Sequence, residues 1–223
     1  MAKRTDDAYN THGIGDERRG SSTAIIILAA GASTRMGRPK QLLTYGSRAL
    51  VRHAAEIAAA SICRPILMVL GAYTNQLVSE IDGLPVRSVI NERWADGIGS
   101  SVRVGVENLN TYDRSDGIEA LVLMLCDQPY VTAAVINDLV KTYYLRGKGI
   151  VASEYDGILG VPALFGRKYF AELAIIRGAA GAKQIIAAHL SDVVPVPFPM
   201  GIMDIDTPED YRKLQSGIPP QIR

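Results

Sequence analysis

Ala24 to Ala30 is an unbroken apolar run rich in isoleucine that ends at Gly31, and no other stretch constrains the fold as much. Apolar residues at every position, without the alternation of a half-exposed strand, describe a central strand covered on both faces. Such a strand implies helices above and below its sheet, and a loop at its carboxyl end that opens toward solvent. That loop reads Gly31-Ala32-Ser33-Thr34-Arg35-Met36-Gly37-Arg38-Pro39-Lys40-Gln41-Leu42. Its small residues and Gly31 let the main chain approach a ligand closely, with N–H groups turned toward anionic oxygens. Arg35 can fork two phosphate oxygens, Lys40 acts as a compact point charge, and Pro39 fixes the backbone before it. Two such cations suit a triphosphate.

Two better-known phosphate loops do not fit. A Walker loop requires G-x-x-x-x-G-K-[ST], whereas Gly31, Gly37 and Lys40 stand at other intervals. The dinucleotide fingerprint G-x-G-x-x-G has only Gly31 near the strand end, which disfavours an NAD(P)H reductase. A plain strand–turn–helix connection would need neither Arg35 nor Lys40.

With 223 residues, 48% of them hydrophobic, the chain can bury one core, and a single domain is expected over 23–216. Residues 1–22 are polar and charged, with no signal-like apolar run, and read as a flexible extension; 217–223 read as a tail. A net charge of +1 offers no field for nucleic acid, and no segment has membrane-spanning length, so a cytoplasmic protein is expected. Cys63 and Cys126 lie far apart in apolar surroundings and read as buried reduced thiols. His12, His53 and His189 are scattered and lack zinc-site spacing.

From residue 24 onward strand-like and helix-like segments alternate. Helices are expected over Ala49–Ile62, Gln76–Ile81, Ser100–Leu109, Ala133–Leu145, Lys168–Ile175, Ala182–His189 and Pro208–Gln215. Strands are expected over Ile66–Leu70, Val86–Ile90, Leu121–Leu125, Gly149–Ala152, Pro162–Phe165 and Val193–Val196. This is the pattern of a three-layer α/β/α, Rossmann-like domain with a mostly parallel mixed sheet. Ligands in such sheets sit beyond the carboxyl ends of the strands, where the Gly31 loop and Asp127 would both lie.

Asp127 follows the second all-apolar strand, and a carboxylate there is costly unless paired or metal-bound. As a cap for the Thr132 helix it lies several residues too early. Mg²⁺ takes one or two carboxylates together with substrate phosphates and water, and Asp127 fits the first. Asp204 and Asp206 alternate in an extended segment and project to one side, with Ile205 opposite. Asp206 or Thr207 can cap the helix that begins at Pro208, which leaves the other aspartate unexplained. Asn91 to Ser101 joins a strand to a helix, and a glycine turn with Ser100 as cap accounts for it locally. Trp94 suits core packing and a substrate platform equally.

The string L-A-A-G-x-S-x-R-M-G-x-x-K resembles the signature of the molybdenum cofactor nucleotidyltransferases. The resemblance continues through Asn91–Ser101, Leu125-Cys126-Asp127-Gln128-Pro129, Gly160–Phe165 and Asp204–Asp210, so that it covers about Thr23 to Leu214. It implies that Leu28, Ala29, Ala30, Gly31, Ala32, Arg35, Lys40, Gly97 and Ser101 contact a nucleotide, with Ser101 and Gly97 at the base. It also implies that the Asp204–Asp206 motif supplies the second metal carboxylate, Asp206 first and Asp204 as the alternative. Gly160 and Pro162 would contact the acceptor. Ala30 and the Asp-Gln-Pro triplet match the cytidylyl branch, and a methyl at position 30 narrows the space for a base, which suits a pyrimidine.

The implied activity is Mg²⁺-dependent transfer of CMP from CTP to molybdopterin or molybdenum cofactor, with Arg35, Lys40 and Asp127 catalytic. A recipient molybdoenzyme or its chaperone would be the further partner. Val161 stands where a histidine is usual and Ala179 where an aspartate is usual, and both changes bear on the acceptor. Transfer from GTP, transfer to a sugar or alditol phosphate, and non-catalytic cofactor delivery are the alternatives.

Overall fold

The computed structural model describes residues 22–112, 117–179 and 181–216. The expected extension, apart from Ser22, and the expected tail lie outside the described residues, as does His12. Among the described residues nine strands appear: β1 (Thr23–Leu28), β2 (Thr44–Tyr45), β3 (Arg48–Ala49), β4 (Ile66–Leu70), β5 (Arg87–Ile90), β6 (Ala120–Leu125), β7 (Ile150–Tyr155), β8 (Ile158–Gly166) and β9 (Val193–Pro197). The helices are α1 (Leu50–Ala60), α2 (Thr74–Glu80), α3 (Ile98–Tyr112), α4 (Ala133–Arg146), α5 (Phe170–Leu173), α6 (Lys183–Ala188) and α7 (Pro208–Gln215).

Seven strands form one sheet in the order β5-β4-β1-β6-β8-β7-β9. Only β8 runs against the rest: it is antiparallel to β6 and β7, whereas β5, β4, β1 and β6 pair in parallel and β9 is parallel to β7. β1 is buried at every position and divides its side chains between two cores. Ala24, Ile26 and Leu28 meet Val102, Val106 and Leu109 of α3, with α5 and α6 beside them. Ile25 and Ile27 belong to the opposite cluster with Val51 and Ala55 of α1, Leu77 of α2 and Leu139 of α4. The layers are therefore α/β/α, with a mostly parallel mixed sheet between.

Several boundaries move for physical reasons. α3 begins two residues before Ser100, and the Ser100 hydroxyl bonds the carbonyls of Arg93 and Gly97 at 2.9 and 2.8 Å, so Ser100 is not its cap. The start is set instead by Gly97, at φ +96, a backbone that side chains resist. The Lys168–Ile175 helix shrinks to a 3-10 turn followed by the single turn of α5. β8 extends back to Ile158, and its register with β7 shifts at Ala152/Ser153. That irregularity accommodates Pro162, which has no ladder donor, and the buried Ser153 hydroxyl bonds the Pro162 carbonyl at 2.6 Å. The hairpin of β2 and β3 is an addition to the expected elements, turning at Gly46 with φ +62. α7 matches its expected span, because Thr207 and Asp210 form a reciprocal capping box with Pro208 in the first turn.

α3 approaches the sheet closely at Gly105, where a Cβ would lie 2.8 Å from Ile26 Cγ2. Alanine ordinarily favours a helix over glycine by about 1 kcal/mol, while overpacking a core costs about 1–3 kcal/mol. Gly105→Ala is therefore expected to lower the midpoint of thermal unfolding, and a raised midpoint would show that α3 can lift from β1 without loss.

Candidate active site

A cavity of about 580 Å³ opens beyond the carboxyl ends of β1 and β6. One side is built by the chain leaving β1, with Leu28, Ala29, Ala30, Gly31, Ala32, Arg35 and Lys40. The other carries Trp94, Gly97, Ile98 and Ser101, and Asp127, Asp204 and Asp206 also line it. The expected nucleotide and metal residues thus meet at one place. Gly160 and Pro162 are not among its lining. A Cβ at Gly160 would collide with the Tyr155 hydroxyl, and the Val161 carbonyl between the two accepts a hydrogen bond from Gln128 Nε2 at 3.0 Å.

The loop after β1 is held by a residue to which the sequence reading gave no role. Gln41 is 1% exposed, and its amide nitrogen donates to the carbonyls of Ala29 at 3.1 Å and Gly31 at 2.7 Å. Its oxygen accepts from Ser33, whose backbone is left-handed at φ +54 and whose Oγ accepts from the Lys40 N–H at 3.1 Å. The Tyr73 hydroxyl closes the far side by donating to the Ala32 carbonyl at 2.9 Å. Asn91, also buried, plays the corresponding part opposite: its amide donates to Ser100 Oγ at 2.8 Å and Ser101 Oγ at 3.0 Å. The signal for both was a polar amide inside a motif, but its partners are set by the tertiary fold.

Four charges dominate the floor. Lys40 Nζ donates to Asp127 Oδ2 and, at 2.7 Å, to Asp206 Oδ1, and Arg35 donates to Asp206 Oδ2 at 2.7 Å. Burial works against the Lys40 charge, but Asp127 and the hydrogen bonds to both aspartates hold its pKa above the ordinary lysine range. Burial likewise opposes the Asp206 charge, and Lys40 and Arg35 overcome it, leaving the carboxyl below its usual value. At Asp204 the balance is reversed: burial, then the nearby Asp127 charge, push its pKa up to about 6, and a Gln128 hydrogen bond and the Lys40 charge offset this only in part.

Asp127 and Asp206 offer the hard oxygen donors that Mg²⁺ and Mn²⁺ prefer. Asp127 Oδ1 and Asp204 Oδ1 are buried with no hydrogen-bond partner among the described residues, and the Lys40 ammonium already marks the space between Asp127 and Asp206 as favourable for a cation. The residues fit a divalent ion. Among the described residues no three His, Cys, Asp or Glu side chains are arranged to hold a metal, so other ligands would be phosphate and water oxygens.

Residues 25–193 match the MobA-like NTP transferase domain. The chain belongs to that family. Among its relatives, the nicotine blue oxidoreductase of Paenarthrobacter nicotinovorans is 28% identical over 201 residues, 85% of this chain and 94% of that protein. The molybdenum cofactor cytidylyltransferase of Escherichia coli is 26% identical over 192 residues, 86% of this chain and 94% of that protein. Rv0371c of Mycobacterium tuberculosis, solved in complex with manganese, superposes with a TM-score of 0.70 at 26% identity, covering 88% of this chain and 99% of that one. This MobA-like domain is a member of the nucleotidyltransferase superfamily, and no helix among its described residues is long and apolar enough to cross a membrane.

Cys63 and Cys126 are buried free thiols, as expected, and burial pushes Cys63 up to about 12. His53 and His189 have structural partners, the Pro129 carbonyl and Glu172. Trp94 lines the cavity and also packs against the first core. Its seat depends on Gly71, where a Cβ would lie 2.6 Å from the Ala30 carbonyl oxygen and 2.7 Å from Trp94 Cβ. Gly71→Ala should shift the fluorescence emission of this single tryptophan and cost about 1–3 kcal/mol of stability; an unchanged spectrum with unchanged stability would show that the wall yields freely.

Proposed function

We propose that the protein transfers CMP from CTP to molybdopterin or molybdenum cofactor and releases pyrophosphate. The observation that carries this reading is the convergence of Arg35, Lys40, Asp127 and Asp206 beside the Gly31 loop in one cavity. Such a set is superfluous for simple cofactor delivery. CTP is favoured by Ala30, by Asp127-Gln128-Pro129 and by the likeness to the cytidylyltransferase of Escherichia coli. Ala30 is 4% exposed, and a Cβ at Gly71 would lie 2.9 Å from its methyl, so its effect on the base would be through the position of the wall.

An oxygen of the acceptor phosphate attacks the α-phosphorus, and the bond from that phosphorus to the bridging oxygen of the β-phosphate breaks in line. The acceptor is already an anion, so no protein base is needed. Lys40 and Arg35 exchange their aspartates for phosphate oxygens and stabilise charge on the departing pyrophosphate. The Gln41-clamped loop orients the phosphates, and Ser101 and Gly97 contact the base. Asp127 and Asp206 would hold Mg²⁺, or Mn²⁺ as in the Rv0371c complex, which when bound screens charge on phosphate oxygens. Gly160 and Pro162 would contact the acceptor. A molybdoenzyme or its chaperone would receive the product, and the cytoplasm, which supplies CTP, would be the place of action.

The likeness to nicotine blue oxidoreductase favours a second reading, an oxidation–reduction, for which NADPH is the hydride donor to test. Pyrophosphate release with CTP, GTP, ATP and UTP, each with molybdopterin, separates the readings when NADPH oxidation is followed in parallel. CTP should be preferred. Asp127→Asn should abolish turnover, because the amide keeps the shape but loses the charge a hard cation needs. Arg35→Ala should lower kcat/KM roughly ten- to a hundredfold, the value of one charge-assisted contact. Its melting temperature should barely move, because the side chain is 71% exposed and its ion pair lies at the surface. Preference for GTP, or turnover of NADPH without pyrophosphate release, would overturn the proposal.

A further inference from the structure

Asp127 and Asp206 present four carboxylate oxygens, and three are already claimed by cations of the same chain. The fourth, Asp127 Oδ1, is buried and has no hydrogen-bond partner among the described residues. The side chains of Lys40 and Asp127 are only 16% and 7% exposed, so solvent and salt screen their attraction weakly. The backbone below the lysine is fixed, since its N–H is bound by Ser33 Oγ and its neighbour Gln41 is tied to Ala29 and Gly31. Its four-carbon stem, by contrast, can swing between partners without moving that backbone.

We infer that Lys40 is the resident cation of the Asp127–Asp206 pair, keeping bare divalent metal out until a triphosphate draws its ammonium away. The inference rests on the proposed reading of these two aspartates as metal carboxylates. Two aspartates facing one lysine and one arginine sum to zero formal charge. A divalent ion entering alone would meet only Asp204 beyond that balance, a carboxylate whose charge burial already disfavours, and would have to displace hydrogen bonds already made. A nucleoside triphosphate changes the balance, because its oxygens can take both Lys40 and Arg35 and release Asp127 and Asp206 together. Metal and nucleotide then enter as one unit. Lys40 thereby has two successive partners, a carboxylate pair in the free protein and a phosphate in the complex.

The test is Mn²⁺ binding to the nucleotide-free protein, followed by the electron paramagnetic resonance signal of free Mn²⁺. Wild type should bind weakly, whereas Lys40→Met and Lys40→Gln should each bind at least roughly tenfold more tightly, since an opposing charge within contact of both ligands is gone. Adding Asp127→Asn to either variant should erase the gain. Lys40→Gln keeps a hydrogen-bonding group near the carboxylates, so it carries the test should Lys40→Met fold poorly, and circular dichroism checks both. Water-proton relaxation of Mn²⁺ with CTP, with and without wild-type protein, reports the ternary complex separately. If wild type alone binds Mn²⁺ as tightly as the variants, or if the variants gain nothing while the ternary complex forms, the lysine inference is overturned and the proposed function stands. If no variant binds Mn²⁺ and no ternary complex forms, Asp127 and Asp206 are not metal carboxylates and both readings fall.

Discussion

A carboxylate at the end of a strand buried on both faces must be compensated by something brought to it, because water cannot reach it freely. Asp127 is in that position at the end of β6, and Lys40 is what the fold brings. The lysine arrives from the loop after β1, the neighbouring strand, whose register places Leu28 beside Leu125. The parallel pairing of two apolar strands therefore fixes how far apart the loop and the carboxylate begin. The hydrogen bonds of Gln41 and Ser33 then fix how the loop turns back. Remove either and the ammonium has no defined place to stand.

The second carboxylate is fastened differently. Asp206 follows Ile205, which is fully buried in a small cluster with Met36, Leu43, Leu50, Tyr211 and Leu214. Met36 belongs to the loop after β1, and Tyr211 and Leu214 belong to α7. The Tyr211 hydroxyl donates to the Thr44 carbonyl at 3.0 Å, and the Ile205 N–H donates to the Asp127 carbonyl at 3.1 Å. A satellite hydrophobic core thus lies directly under the charged floor. Its packing holds Asp206, on a half-buried segment, against Lys40 and Arg35.

The layered architecture was legible because β1 from Ala24 onward and β6 throughout are apolar, short and rich in strand-forming residues, the pattern of a doubly covered strand. The span of α7 was equally legible, since Thr207, Pro208 and Asp210 specify its start within four consecutive residues. Ser100 misled as a cap because the start of α3 is determined by Gly97 and by contact with Gly178, whose carbonyl accepts from the Gly99 N–H at 3.1 Å from far along the chain. The cavity residues were readable as motifs, but their present pairing was not: Arg35 and Lys40 were expected to face phosphate, and here they face aspartate. Gln41 and Asn91 escaped notice because a buried amide gains its meaning from the carbonyls and hydroxyls that close around it. Gly160 and Pro162, prominent in a motif, stand within β8 and outside the lining of the cavity.

The position of α7 and its satellite core in the chain has a consequence for how the protein is made. Asp206 comes after every strand of the sheet in chain order, so all seven strands leave the ribosome before the second carboxylate does. Until then Arg35 lacks its partner and Lys40 has one aspartate instead of two, and Met36 and Leu43 have Leu50 of α1 but not Tyr211 and Leu214 to cover them. A nascent chain can complete its central sheet yet still present an open, cation-rich mouth to any polyanion nearby. Docking of α7 ends that interval by joining early and late segments of translation in a single contact.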